Sequence, residues 1–237
     1  MIAEARSLIK RPAGAGKLIR ISEGSVIQIS GPGPIRARMA AETLLEKGAA
    51  SLLCWGSAAG LVPELSPGSL VLPKTIISDN QAVYRTDTTW RHHLLSRLRG
   101  HLHVHQEPLA ESLKVLRDHE EKAALSRRTG AIAADMESAA VAAVAHRAGI
   151  PFLSIRAVAD PLATTIPPSV LVAVDELGRL SLSRLLKGLM QHPAELGDLI
   201  RLGFNFRAAR ATLTAVARLT GSNLQSPDKE EEKLNEQ

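Results

Sequence analysis

Residues 129–161 read TGAIAADMESAAVAAVAHRAGIPFLSIRAVADP, and this stretch decides the fold. It opens on a short apolar segment, Ala131 to Ala134, and meets an acid–methionine–acid triplet, Asp135-Met136-Glu137. A run of small residues from Ser138 to Ala148 has helical character, and Gly149 stands where a helix-ending glycine belongs. Residues 151–158, PFLSIRAV, are apolar except for Ser154 and Arg156, the pattern of a buried strand. The unit is strand, helix, strand, with Glu137 at one strand end and Asp160 at the other. Ligands of open α/β sheets bind in the crevice at the carboxyl ends of the strands. Two carboxylates in one such cleft can take different pKa values, and so different tasks, from their surroundings. The plainer alternative gives Glu137 to the helix N-terminus, where an acid is favourable, and Asp160 to a turn before Pro161.

Working outward, Lys17 to Ile21 and Val26 to Ser30 read as strands joined at Glu23-Gly24. Gly31-Pro32-Gly33-Pro34 is a sharp turn, and Arg36 to Lys47 a helix closed by Gly48. Arg36 and Arg38 stand at that helix start, where an anion would be favoured, although a solvated first turn explains them as well. Ser51 to Trp55 is a buried strand ending at Gly56-Ser57, and Leu70 to Ile77 is another. Residues 78–90, SDNQAVYRTDTTW, read as a long loop. Tyr84 and Trp90 lie in it, and in a chain with only 3% aromatics they suit an apolar entrance; Trp90 suits equally an anchor for the next helix. Helices follow at Arg91 to Arg99 and Ser112 to Ser126. His101, His103 and His105 alternate, without a carboxylate or fourth ligand at metal spacing, so no metal site is expected.

Past Asp160, Val170 to Val174 is apolar, Asp175 to Gly178 turns, and Ser181 to Met190 is helical. Ala194 to Leu219 carries an apolar stripe, Phe206, Ala209, Leu213 and Val216, with Arg207, Arg210 and Arg218 off it. Such a basic helix packs on its own domain or a partner, or lies on a membrane interface. The expected division is a catalytic domain over 1–192, a basic helical segment over 193–222, and a disordered charged tail over 223–237.

The 237 residues suit one large α/β domain with an appendage, and 45% hydrophobic content supplies a full core. The net charge of +5 suits acidic partners or an anionic membrane surface. No basic run is interleaved with aromatics, so nucleic acid is not an expected partner. The single cysteine, Cys54, excludes an intramolecular disulfide. The first residues, MIAEARSLIKRP, lack a signal-peptide core, and no uncharged stretch reaches membrane-spanning length. The expected location is cytoplasmic, soluble or peripheral on the inner face of the membrane.

Three blocks of sequence, in order, resemble the nucleoside phosphorylase and nucleosidase superfamily. The run Ala131-Ile-Ala-Ala-Asp-Met-Glu-Ser-Ala-Ala-Val-Ala is similar to A-V-E-M-E-(small)-A-A-(I/V)-A of the methylthioadenosine/S-adenosylhomocysteine nucleosidases. PFLSIRAVAD resembles that family's P-F-x-x-(I/V)-R-x-(I/V)-S-D. Gly56-Ser57-Ala58-Ala59-Gly60-Leu61, with Leu65 and Gly68-Ser69-Leu70-Val71, resembles G-S-A-G-G-L followed by L-x-x-G-D-(I/L)-V. Within the superfamily the likeness extends to the hopanoid-associated phosphorylases, on Tyr84-Arg-Thr-Asp-Thr-Thr-Trp90 and the basic helical tail.

The resemblance implies a three-layer α/β/α fold around a mixed central sheet, with a C-terminal helical appendage and a homo-oligomeric state. It implies N-glycosidic cleavage of an adenosyl substrate: adenosylhopane to ribosylhopane plus adenine, in hopanoid biosynthesis. The alternatives are a methylthioadenosine/S-adenosylhomocysteine nucleosidase, a phosphate-dependent phosphorylase, or a non-catalytic nucleoside-binding protein. Asp160 would protonate the purine N7. Glu137, with Met136 and Asp135, would hold the ribose, and Gly33 lies in a loop approaching it. Glu4 would activate water beside Gly56 and Ser57. No cofactor is implied beyond phosphate as a co-substrate.

Four departures from the family pattern stand out. The family's first strand, preceding Glu4, has no counterpart in these residues, so either the start lies upstream of Met1 or the sheet lacks an edge. Cys54 replaces the phosphate-holding arginine, which favours water as nucleophile. Pro108 to Glu111 lacks the aromatic that stacks on the purine, and Ala159 replaces the serine beside the acid.

Overall fold

The computed structural model describes residues 2–9, 16–22, 24–173, 181–221 and 224–226. The elements run α1 (Ile2–Ala5), β1 (Leu18–Ser22), β2 (Ser25–Gln28), α2 (Pro34–Glu46), β3 (Leu52–Gly60), β4 (Leu70–Val71), β5 (Thr75–Ile77) and β6 (Val83–Arg85). They continue with α3 (Thr88–Leu98), β7 (Val104–His105), β8 (Leu109–Glu111), α4 (His119–Thr129), β9 (Ala133–Asp135), α5 (Ser138–Ala148), β10 (Phe152–Asp160), α6 (Pro168–Ala173), α7 (Leu182–Gln191) and α8 (Leu196–Thr220).

All nine residues of β10 are buried. A strand that is apolar on both faces must be covered on both, and this one lies inside an eight-stranded mixed sheet of order β6-β5-β8-β9-β3-β10-β4-β7. β10 runs parallel to β3 from Phe152↔Leu52 to Asp160↔Ala59, with an irregularity between Val158 and Asp160, and antiparallel to β4. β9 crosses antiparallel to β3 only at Ala59 and Gly60. The earlier residues of β3, Leu52 to Trp55, line a cavity. β1 and β2 form a separate antiparallel hairpin.

One face of the sheet carries α2 and α5. Their alanines (Ala37, Ala41, Ala139, Ala140, Ala142, Ala145) let helix and sheet backbones approach closely, and they share a core with Leu52, Phe152 and Val158. The other face carries α3 and α8, where Trp90, Leu94, Leu98, Ala209, Leu213 and Val216 pack on Leu153, Ile155 and Ala157. The architecture is three-layer α/β/α, and the second half of the long C-terminal helix is one of its layers.

Local chemistry explains where the elements differ from the sequence reading. The strand expected over 70–77 splits around Pro73, with Leu72 and Lys74 amides donating to His105 and Gln106 carbonyls. The stretch 78–90 holds β6, and Asp87 caps α3 by accepting from the Trp90 amide at 2.7 Å. The helix expected from Ser112 begins at His119, because Asp118 takes the Glu121 amide as its cap and Glu121 ties back Lys114 and Arg117. The expected turn over 175–178 and the tail beyond residue 226 lie outside the described residues. No helix among the described residues is long and apolar enough to cross a membrane.

Candidate active site

β3 and β10 run parallel and end side by side, β9 crosses the end of β3 in the opposite direction, and a cavity of about 1150 Å³ runs along β3 past the end of β10 and the segment that follows β9. Glu4, Gly33, Ser57, Asp135, Met136, Glu137, Arg156 and Asp160 all contribute to its lining. Residues far apart in sequence thus meet at the place that strand topology selects for ligands.

Glu4 reaches the cleft from α1. Trp55 Nε1 donates to Ser7 Oγ at 2.9 Å, which holds the segment against β3. Glu4 Oε1 then accepts from the Ser57 amide at 2.8 Å and the Ser57 hydroxyl at 2.6 Å. Burial raises the Glu4 carboxyl, but the amino-terminal charge and the Ser57 bonds outweigh it and hold the group below its ordinary range. A Cβ at Gly56 would collide with Arg156 Nη1 and press on the Glu4 carboxylate, so this strand position needs its glycine.

Glu137 is not tied up as a helix cap. Asp135 does that work: its Oδ1 accepts the Ser138 amide at 3.0 Å. Glu137 Oε1 instead accepts the Gly33 amide at 2.9 Å, from a loop 104 residues away. Gly33 has φ 94°, a left-handed conformation that glycine adopts without strain. The Glu137 carboxyl is raised by burial and by the Asp135 charge, against the pull of Arg156 and the Gly33 amide. Met136 lies beside it on the cavity wall.

Asp135 lines the cavity but is almost wholly out of water. Its carboxylate meets Arg156 Nε at 2.6 Å, and their side chains are 2% and 3% exposed. Asp135 is thus committed to Arg156 and to the first turn of α5 while still lining the cavity. Arg156 Nη2 further donates to Cys54 Sγ at 2.8 Å and Ser138 Oγ at 3.1 Å, and lies 3.9 Å from Glu137 Oε2. Burial pushes the Cys54 thiol up to about 11, so at neutral pH it is an uncharged acceptor for the guanidinium. Neither Arg36 nor Arg38 lines the cavity among the described residues.

Asp160, at the end of β10, meets a partner the sequence reading missed. Lys122 of α4 is 0% exposed, and its Nζ lies 2.8 Å from Asp160 Oδ1. Burial raises the Asp160 carboxyl, and the lysine opposes this without reversing it.

Arg156 stands in the sequence as the arginine of the PFLSIRAVAD block and as a charge inside an apolar strand, which is itself a signal, because a buried charge demands a partner. Lys122 gave no such signal, since its pairing spans 38 residues.

The aromatic entrance does not form. Trp90 is 1% exposed and belongs to the core under α8, and Tyr84 packs edge-on against His146 of α5 with ring centres 5.9 Å apart. Trp90 borders the cavity from within the core rather than at its mouth, and Tyr84, half-buried, is not among the residues that line it. The apolar walls come instead from Ile166, Val170, Leu171, Leu202 and Phe206.

The fold and its carboxylate-lined cleft define an α/β protein built to hold a ligand along β3, beside the end of β10 and the segment that follows β9. The sequence matches the Phosphorylase superfamily over residues 10–187. The chain belongs to that superfamily, and is an enzyme of nucleosidase or phosphorylase type. A comparison with curated protein sequences finds no match.

Solved structures of similar fold include Helicobacter pylori 5′-methylthioadenosine/S-adenosylhomocysteine nucleosidase, with 14% identity, 93% of this chain and 94% of that one covered, and a TM-score of 0.66. The nucleosidase of the same name from Neisseria meningitidis, in complex with methylthio-immucillin-A, has 19% identity, the same coverage and a TM-score of 0.66. Futalosine hydrolase of Helicobacter pylori has 14% identity, 93% of each chain covered and a TM-score of 0.67.

Proposed function

We propose that this chain hydrolyses the N-glycosidic bond of an adenosyl substrate and releases adenine. The observation that carries the reading is the convergence of the Glu4–Ser57 pair, Glu137 on the Gly33 amide, and Asp160 around one cavity. Such a bond breaks through an oxocarbenium-like state: positive charge grows on the ribose and negative charge on the base. Asp160, raised by burial, suits a carboxyl that enters the reaction protonated and passes its proton to the purine N7. Glu137 takes ribose hydroxyl hydrogen bonds and faces the developing cation, and Met136 packs on the sugar. Glu4, held ionised, orients water and accepts its proton beside Ser57. Arg156 neutralises Asp135, so that the charge left to meet the ribosyl cation is that of Glu137.

The Cys54 thiol stands where related phosphorylases carry a phosphate-holding arginine, and it already serves Arg156. This supports water over phosphate as the nucleophile. The fold likeness to methylthioadenosine/S-adenosylhomocysteine nucleosidases supports a soluble thio-nucleoside as the second reading of the substrate.

Adenosylhopane is the first reading. Its tail at C5′ needs an apolar exit, and Leu202, Phe206, Val170 and Leu171 offer one. Near that wall α7 and α8 expose Leu182, Leu186, Met190, Leu196, Ile200 and Phe204. Arg184, Lys187, Arg201 and Arg207 are exposed on the same helices. An apolar stripe among cations favours an anionic bilayer over a second copy of this chain, whose like charges would meet.

The test is adenine release from adenosylhopane and from 5′-methylthioadenosine, each with and without phosphate. Phosphate-independent release from adenosylhopane is expected. Strict phosphate dependence would overturn the hydrolytic reading, and a preference for methylthioadenosine would overturn the lipid-linked one.

A further inference from the structure

Lys122 is a buried charge beside the site that the proposed chemistry leaves without a task. It projects from α4 and is 0% exposed. Its three N–H groups are all spent: on Asp160 Oδ1 at 2.8 Å, the Pro161 carbonyl at 2.8 Å and the Thr164 carbonyl at 2.7 Å. Lys122 does not line the cavity, whereas Asp160 does. Asp160 Oδ2 takes no hydrogen bond from any described residue. One carboxylate oxygen is therefore fixed from behind and the other faces the ligand space. The same ammonium ties down the two carbonyls that follow β10, so the acid and the chain leading from it are held by one group. Stability is a poor explanation for this arrangement, because replacing a buried ion pair by apolar residues of similar volume is often neutral or stabilising.

Resting on the hydrolytic reading above, we propose that Lys122 is a positioning residue for Asp160, pinning Oδ1 so that Oδ2 alone exchanges a proton with the leaving base. In the step itself the Oδ2–H bond breaks as N7–H forms, and the electrons of the C1′–N9 bond pass to the base. The carboxylate left behind is balanced by Lys122, which keeps its own three protons throughout.

Lys122→Gln tests this, because its amide still donates to the Pro161 and Thr164 carbonyls while the charge is gone. With 5′-methylthioadenosine as probe, kcat for adenine release is expected to fall about tenfold or more, with KM changed less than about threefold. Without the cation the acid holds its proton more tightly, so the alkaline limb of the kcat profile moves to higher pH. In an Asp160→Asn background the same change is expected to cost nothing further. A crystal structure of Lys122→Gln is expected to show the Asp160 carboxylate turned from its wild-type position.

Wild-type kcat and pH profile in Lys122→Gln would overturn the proposal, as would an equal loss in the Asp160→Asn background. Full activity of Asp160→Asn would instead overturn Asp160 as the acid. If the wild type releases no adenine, the crystal structure decides: an unmoved Asp160 in Lys122→Gln sinks the positioning role.

Discussion

Arg156 Nε lies 2.6 Å from Asp135 Oδ2, with both side chains almost wholly out of water. The two residues come from opposite ends of the strand–helix–strand unit, one closing β9 and the other midway along β10. Their pairing decides how the acidic triplet divides its work. Asp135 is spent on Arg156 and on capping α5, which leaves Glu137 as the carboxylate that faces the cleft.

Breaking that pair one-sidedly strands a buried charge. Asp135→Asn, which keeps the shape and loses the charge, is expected to cost about 3–5 kcal/mol of unfolding free energy. Urea denaturation measures it. Adding Arg156→Met should recover part of the loss, since the guanidinium is then no longer unpaired. If the double variant is less stable than Asp135→Asn by the full cost of a second independent mutation, the pair is not a coupled unit.

The acid and the base of the proposed reaction separate in kinetics. Asp160→Asn cannot supply a proton, and kcat is expected to drop about 10²- to 10⁴-fold with a much smaller change in KM. Glu4→Gln keeps a hydrogen-bonding partner for Ser57 but cannot take a proton from water, and a loss of the same order is expected. Single-turnover adenine release measures both, and a Glu4→Gln protein with wild-type kcat would remove Glu4 from the mechanism.

In the proposed reaction the pH profile follows from two raised carboxyls. Glu137 works ionised, so activity rises as pH climbs through its raised pKa. Asp160 works protonated, so activity falls as pH climbs through its own. A bell-shaped kcat/KM profile is expected, with its acid limb above the ordinary glutamate range. Stability carries the opposite mark at Glu137. A carboxyl whose folded pKa is raised contributes stability below its unfolded value and loses it as pH rises through the folded value. Glu137→Gln is therefore expected to raise the melting temperature relative to wild type at neutral pH, but not at strongly acid pH. A fall at neutral pH would mean that the ionised Glu137 is a net stabiliser.

The parts of the site that the sequence revealed are those coded by local pattern. The alternation of strand, helix and terminal glycine placed Glu137 and Asp160 at strand ends, and the glycine-serine pair marked the end of the β3 segment nearest Glu4. What stayed hidden was long-range pairing. Nothing near Lys122 distinguishes it from the other charged residues of an exposed-looking helix, yet folding carries it under Asp160. Trp90 misled for a related reason. An aromatic near a loop suits an entrance or an anchor equally, and only the packing of α8 over it decides for the anchor.

That decision yields the final contrast. Trp90 fills the core between α3, α8 and the sheet, so Trp90→Ala is expected to cost about 3–5 kcal/mol of stability by leaving a cavity. The ring borders the cavity but is only 1% exposed, so KM for any nucleoside should change little while the protein remains folded. Phe206 is only partly buried and lines the ligand space, so Phe206→Ala should cost less stability. Its effect should fall on KM, and should grow with the length of an apolar C5′ substituent, because each methylene in contact with the ring contributes roughly 0.8 kcal/mol of burial. A series of 5′-alkylthio-adenosines of increasing chain length, assayed with both variants, separates the two roles. If Trp90→Ala rather than Phe206→Ala shows the length-dependent KM, Trp90 faces the substrate after all and the apolar exit runs beneath α3.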